Sequence, residues 1–189
     1  MGNKLRDLLA SPVSIITFNY DRSLEYYLLT VMRTHIRVEE EAFTLTKNLP
    51  IVHVYGQLGL PDYYRHNRAR PYRSEVSPPI IATCLSSMFL FTEGSKQVRQ
   101  YFRSEQGLID QYVRQAENLC FLGFGYNETN LRRLGIDENF TGDKILGTAY
   151  GLGADERKRV RDRLGIPDSN LGGPNEGILD FLKNHAVFS

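Results

Sequence analysis

Three apolar runs of this sequence end in residues whose side chains or backbone could do chemistry. Those residues are Asn19 and Asp21, His53 and Tyr55, and Gly123 and Gly125. A carboxamide can orient water or a sugar, an imidazole can act as a base near neutral pH, and a glycine turn before a helix can receive a phosphate or a ribose. Open α/β sheets build their ligand sites from polar groups at the carboxyl ends of strands. The pattern therefore predicts a ligand site at such strand ends.

The elements that must position these residues alternate along the chain. Apolar runs predict strands, and apolar residues at helical spacing predict helices. The predicted strands cover residues 13–18, 51–55, 88–91, 118–124 and 144–149. The predicted helices cover residues 3–10, 22–31, 95–116, 155–164 and 174–184, with one more starting at residue 131. Residues 32–50 are expected to form a helix tail and a loop, and residues 80–85 a short strand or the start of a helix.

This order predicts one α/β domain over residues 1–189. Its core would be an open, parallel, Rossmann-like sheet of about four or five strands, with flanking helices and right-handed crossovers. Residues 57–95 would be an irregular insert or lid. Tyrosines and arginines alternate with prolines in its first part, a mixture that can indicate contact with nucleic acid. The near-neutral net charge of +1 favours a lid over a ligand instead.

Composition excludes several classes of protein. The net charge of +1 gives no reason to expect a nucleic acid or a membrane surface as partner. No apolar run approaches the roughly 20 residues that span a bilayer, and residues 1–10 contain no apolar segment typical of a secretory signal. Cys84 and Cys120 are far apart and belong to no CxxC motif, so neither a zinc site nor a disulfide framework is expected. A reducing, cytoplasmic location fits this composition.

Each candidate residue also has a purely structural interpretation. Asp21 could serve only to cap the helix that follows it. His53 and Tyr55 would point to the same side of a continuing strand, and both could be packed and hydrogen-bonded there. The turn after residue 122 could need glycine only because Gly125 adopts a positive φ angle.

Three motifs in order resemble a known family. Thr17-Phe18-Asn19-Tyr20-Asp21 resembles the T-x-N-[IY]-D motif of sirtuins and of sirtuin-like domains that hydrolyse NAD. The segment 51–56 resembles their strand followed by His-Gly, and the segment 121–127 resembles their Gly-x-Ser strand-to-loop element. Residues 89–94 and the helix that leads to residue 116 look like the bacterial, non-deacetylase branch. The resemblance covers roughly residues 11–153.

The resemblance implies a set of site residues. Asn19 and Asp21 would hold the nicotinamide–ribose side of NAD. The residues that would contact NAD elsewhere are Gly56, Gly123, Gly125, Asn127, Gly147 and Thr148, with the last strand approaching the adenosine. The reaction would be cleavage of the nicotinamide–ribose bond, in which Asn19 orients water or the ribose and His53 or Tyr55 gives acid–base help. NAD would be substrate or ligand, and no metal is expected because the cysteine quartet of the deacetylase zinc module is absent.

Two departures from the family pattern leave the function open. Tyr55 stands where the family has histidine, and a phenol is a poor base near neutral pH. The family's Gly-Ala-Gly-x-Ser phosphate loop is also absent, which suggests a fragment, a degenerate member, or a sheet completed by a partner chain or a homo-oligomer. One hypothesis is therefore an NAD glycohydrolase like those of bacterial antiphage systems. The alternative is a catalytically degenerate sensor or regulatory module that binds NAD or ADP-ribose, and a third is an α/β domain without a nucleotide site.

Overall fold

The computed structural model describes residues 13–64, 69–72, 75–88 and 96–185. The chain divides into two compact units, Met1–Leu108 and Ile109–Ser189, called the N-terminal and C-terminal units below. The helix predicted over 3–10 and the strand predicted over 88–91, apart from its first residue, lie outside the described residues.

The N-terminal unit begins with a parallel strand pair. Strand β1 (Ile15–Thr17) lies beside β2 (Ile51–His53), with Ile15 opposite Ile51 and Thr17 opposite His53. Helices α1 (Ser23–His35) and α2 (Glu39–Lys47) connect the two strands. The predicted order of strand, helix and parallel strand is confirmed here, although both strands are shorter than the apolar runs suggest.

Of the helix tail and loop expected over residues 32–50, the tail is confirmed, since α1 runs to His35, but α2 replaces most of the loop. Ala42 and Thr46, one helical turn apart, are both buried. Ala42 packs against Leu29 and Met32 of α1, which form the core of this part of the unit. The first turn of α2 consists of three glutamates, whose charge favours a helix N-terminus. Because polar residues dominate this segment, its hydrophobic pattern does not predict the helix.

The segment after β2 is made of short elements. Strands β3 (Leu60–Pro61) and β4 (Ala69–Arg70) pair in parallel, and Asp62–Tyr64 forms a 3-10 turn. Of the two alternatives for residues 80–85, the helix is correct, since α3 covers Pro78–Ser87 and starts with two prolines in its first turn. The helix predicted over 95–116 is confirmed as α4 (Lys96–Gln115).

The C-terminal unit contains a second parallel pair. Strand β5 (Asn118–Phe121) lies beside β6 (Lys144–Gly147), with Phe121 opposite Gly147. The helices α5 (Glu128–Leu134) and α6 (Ile136–Asn139) connect them. Helix α7 (Ala154–Leu164) confirms the helix predicted over 155–164, whereas α8 (Ile178–Asn184) starts later than predicted, after Gly177. A 3-10 turn, Asp168–Asn170, lies between these two helices.

The core of the C-terminal unit lies next to the end of β6. Ala149, Val160 and Leu171 are buried together, and Tyr126 and Leu152 pack against them. Leu171 also bridges to Gly147 as a short extension of the strand pair. This contact fixes the chain after α7 against the last strand.

The described residues therefore form a mixed α/β structure with three two-stranded parallel sheets. None of the helices in this described part is both long enough and apolar enough to cross a membrane.

Candidate functional site

His53 and Glu25 form a buried pair in the N-terminal unit. His53 Nε2 lies 2.6 Å from Glu25 Oε1 on α1, and the two side chains are only 6% and 9% exposed. His53 Nδ1 lies 2.8 Å from the carbonyl oxygen of Asn19. Because a carbonyl oxygen can only accept, Nδ1 carries a proton and donates it, and a second proton is shared between Nε2 and Glu25. Both ring nitrogens are therefore engaged inside the protein.

The surroundings of His53 favour its charged form. Burial lowers the pKa of His53, but the hydrogen bond and charge of Glu25, the Asn19 carbonyl and the charge of Asp21 together raise it above its ordinary value. This geometry agrees with the interpretation of His53 as a packed, hydrogen-bonded residue. The ring can take a proton from a ligand only if one of its two hydrogen bonds opens.

Asn19 and Asp21 are exposed at the carboxyl end of β1. The Asn19 amide donates to Thr17 Oγ1 at 3.1 Å. Asp21 Oδ1 accepts at 2.9 Å from the amide of Ser23, the first residue of α1, although the N-cap position itself is Arg22, whose side chain makes no capping bond. The hydrogen bonds from Ser23 lower the pKa of Asp21, so this carboxylate is charged at neutral pH.

Tyr55 and Gly56 follow the end of β2. The strand stops at His53, so the expected alternation that would place His53 and Tyr55 on one strand face does not extend to Tyr55. The Tyr55 ring instead lies edge-on to Phe18, with centroids 5.8 Å apart, and 6.2 Å from the ring of Tyr20. Gly56 has a φ of 79°, a conformation that favours glycine. An aromatic cluster of Phe18, Tyr20 and Tyr55 thus lies beside Asn19.

Sequence reasoning missed two buried charged residues in this unit, Arg22 and Glu25. The Arg22 guanidinium donates to the carbonyl oxygens of Leu60 and Arg70 at 2.8 and 2.9 Å, and burial lowers its pKa. A longer bond of 3.3 Å reaches Pro71. Both residues lie at the start of α1. Their hydrogen-bond partners are 28 to 49 residues away along the chain, so no local sequence signal identifies them.

In the C-terminal unit, a hydrogen bond joins Gly123 to Thr148. Gly123 has a φ of 60°, and its amide donates to Thr148 Oγ1 at 2.9 Å. Thr148 is 5% exposed. The expectation of a positive φ at Gly125 is wrong, because Gly123 and Tyr126 adopt that conformation instead. Gly125 is exposed, and a side chain there would meet nothing within 4 Å.

Gly147 and Asn127 also hold the strand ends together. A Cβ atom at Gly147 would lie 2.0 Å from the Tyr126 hydroxyl, which donates to the carbonyl of Thr148 at 2.9 Å. Burial raises the pKa of Tyr126 well above its usual range. Asn127 Oδ1 accepts from the Thr129 amide and so caps α5.

The predicted site residues thus fall into two groups. Those at the ends of β1 and β2 are Asn19, Asp21, His53, Tyr55 and Gly56, all in the N-terminal unit. Those at the ends of β5 and β6 are Gly123, Gly125, Asn127, Gly147 and Thr148, all in the C-terminal unit. Among the described residues no cluster of histidine, cysteine, aspartate and glutamate side chains has the arrangement of a metal site.

No protein-family model, no curated protein and no solved structure matches this chain.

Proposed function

We propose that this chain is a sirtuin-like domain that binds NAD, with the nicotinamide–ribose half of the ligand at Asn19 and Asp21. The observation that carries the proposal is the exposed Asn19 side chain at the carboxyl end of a parallel strand pair, on a backbone that a buried imidazole holds in place. Ligands of open α/β proteins bind beyond the carboxyl ends of parallel strands.

The groups at this end suit the polar and aromatic parts of the ligand. The Asn19 carboxamide can donate to and accept from a ribose hydroxyl or a water molecule, and the Asp21 carboxylate can accept from a ribose hydroxyl. The rings of Phe18, Tyr20 and Tyr55 provide an apolar neighbourhood for the pyridine ring. Because Asp21 also accepts from the first amide of α1, ligand binding at this carboxylate would be coupled to the start of that helix.

The proposed function has an enzyme form and a binding form. In the enzyme form, the domain hydrolyses the nicotinamide–ribose bond of NAD, as sirtuin-like proteins of antiphage defence do. In the binding form, it senses NAD or ADP-ribose without turnover. The buried His53 favours the binding form because neither nitrogen of this ring is free to act as a base.

The wider proposal includes an open, Rossmann-like parallel sheet, a cytoplasmic location, and a homo-oligomer or a partner chain that completes the sheet. The parallel pairing within each unit supports the sheet. NAD is the one cofactor in the proposal. Contact of the adenosine half with Gly123 and Gly125 stays a prediction of the family resemblance.

Two measurements on the purified chain test the proposal. Calorimetric titration with NAD and with ADP-ribose measures binding, and chromatography of nicotinamide measures turnover. Asn19→Ala should weaken NAD binding, whereas Asn48→Ala, which removes another exposed asparagine of the same unit, should not. Absence of heat and of thermal shift at millimolar NAD would refute the proposal. Nicotinamide release that Asn19→Ala abolishes would establish the enzyme form.

A further inference from the structure

We infer that His53 and Glu25 are positioning residues, which hold the segment Asn19–Asp21 in its ligand-binding geometry and do not react with the ligand. The inference rests on the proposed NAD site. Hydrogen bonds run without interruption from Glu25 on α1, through the imidazole of His53 at the end of β2, to the carbonyl of Asn19 after β1. Three separate elements thus meet at one ring.

The Asn19 backbone is fixed on both sides of its side chain. Its amide donates to Thr17 Oγ1, and its carbonyl accepts from His53 Nδ1. The direction of the exposed carboxamide therefore depends on where the imidazole lies. The imidazole in turn depends on Glu25, because its Nε2 is bonded to that carboxylate at 2.6 Å. Removal of Glu25 should therefore free the His53 ring and, through it, change the position of Asn19.

The pair is held by a single carboxylate oxygen. Glu25 Oε1 bonds the ring, while Glu25 Oε2 is buried and has no hydrogen-bond partner in the described part of the chain. The other ionisable groups around the pair are Arg22, Asp21, Tyr64 and Glu105. The charge of Asp21 stabilises the imidazolium of His53. Glu105 of α4 is half-buried, and this burial raises the pKa of Glu105, while the charge of His53 opposes the rise.

The shared proton makes this connection sensitive to pH. After it is lost, the neutral ring has one proton for two acceptors, and this proton stays on Nε2 because the charged Glu25 carboxylate is a stronger acceptor than the Asn19 carbonyl. The pKa of His53 lies above its ordinary value of 6.5. Both hydrogen bonds of the ring are therefore present below pH 6.5, and one is lost as pH rises through the raised pKa. The Asn19 carbonyl should then lose its fixed donor, and NAD binding should weaken.

Glu25→Gln separates positioning from charge. A glutamine amide can donate to the neutral Nε2 while Nδ1 still donates to the Asn19 carbonyl, so the connection survives without a shared proton. Glu25→Ala removes it altogether. The matched control is Glu39→Gln, the same chemical change at an exposed carboxylate of the same unit, which pairs with Arg33.

The expected result is a difference in pH profile. NAD affinity of the wild-type chain and of Glu39→Gln should fall about tenfold as pH rises through the titration of His53, the cost of one charge-assisted hydrogen bond. The affinity of Glu25→Gln should stay nearly constant, and that of Glu25→Ala should be about tenfold lower already at pH 6. Identical profiles for wild type and Glu25→Gln would overturn the inference.

Nuclear magnetic resonance of the ligand-free chain decides the inference even if NAD does not bind. In ¹⁵N-labelled protein, the Asn19 carboxamide resonance should follow the titration of the His53 ring in the wild type and in Glu39→Gln, but not in Glu25→Gln. An Asn19 resonance that ignores the His53 titration refutes the positioning role. A wild-type chain that shows this coupling but does not bind NAD refutes the proposed function alone.

Discussion

At the scale of single residues, a buried charge depends on its partner. His53 and Glu25 are both nearly inaccessible to water, so each charge is compensated mainly by the other. Removal of one partner from such a pair costs more than the pair itself contributes, because the remaining charge stays buried. The pair should therefore affect stability as well as ligand binding.

Glu25→Ala should destabilise the chain by about 3 kcal/mol at pH 6. The folded-state pKa of His53 lies above its ordinary 6.5, so the contribution of the pair is complete below pH 6.5 and is lost as pH rises through the folded-state pKa. Urea unfolding of wild type and variant from pH 6 to 9 should show the difference in unfolding free energy shrinking as pH rises. A difference that stays constant over this range contradicts the assignment.

The contact between Gly147 and Tyr126 allows a double-mutant test. Gly147→Ala should cost about 1–3 kcal/mol, because its methyl group collides with the Tyr126 hydroxyl. Tyr126→Phe alone should cost about 1 kcal/mol through the lost bond to the Thr148 carbonyl. The double variant should lose less than the sum, since the phenylalanine makes room for the methyl group. Strict additivity in chemical unfolding would show that the two positions do not touch.

At the scale of elements, the start of α1 is set by side chains outside the helix. Asp21→Ala should destabilise the chain by about 1 kcal/mol, since it removes the acceptor for the Ser23 amide. Asp21→Asn keeps a capping oxygen and should leave the melting temperature nearly unchanged. A lower NAD affinity in both variants would identify the charge as the group that binds the ligand. Equal melting temperatures for both variants would contradict a stabilising role of the hydrogen bond between Asp21 and Ser23.

Arg22 joins α1 to the segment that contains β3 and β4. Arg22→Lys keeps the charge, but its shorter side chain ends before the position of Nη1, which bonds the carbonyls of Leu60 and Arg70, and it lacks the Nη2 donor to Pro71, so it should cost about 1–3 kcal/mol. Hydrogen exchange within residues 57–64 and 69–72 should become faster. Arg33→Lys, on the exposed side of the same helix, serves as the control and should change neither quantity. Unchanged hydrogen exchange in Arg22→Lys would contradict the role of Arg22 in joining α1 to this segment.

At the scale of the whole molecule, each compact unit contains one of the two cysteines, Cys84 in the first and Cys120 in the second. Burial raises the pKa of Cys120 to about 11. In a Cys84→Ser variant at pH 8, Cys120 should react with a thiol reagent about a hundredfold more slowly than an unfolded thiol, because little thiolate is present. Fast reaction in the native chain would contradict this burial.

The two cysteines also test the prediction of a single domain. In urea, the labelling of Cys120 in Cys84→Ser reports the C-terminal unit, and that of Cys84 in Cys120→Ser reports the N-terminal unit. Coincident transitions support one cooperative domain, and separate transitions contradict it.

The sequence predicts the α/β class and most element positions, because apolar runs and helical spacing are local signals. It misses α2, because the two buried residues of this helix, Ala42 and Thr46, give no apolar pattern within a mostly polar segment. It overestimates strand length, since the apolar run through Val54 continues after β2 has ended. The partners of His53 and Arg22 could not be predicted, because distant parts of the chain provide them.

The packing of Tyr126 over Gly147 has a consequence for the ancestry of this chain. A chain that carries any side chain at the position of Gly147 must replace the tyrosine or move the loop that holds it. The two positions should therefore change together during evolution, as a linked pair of substitutions.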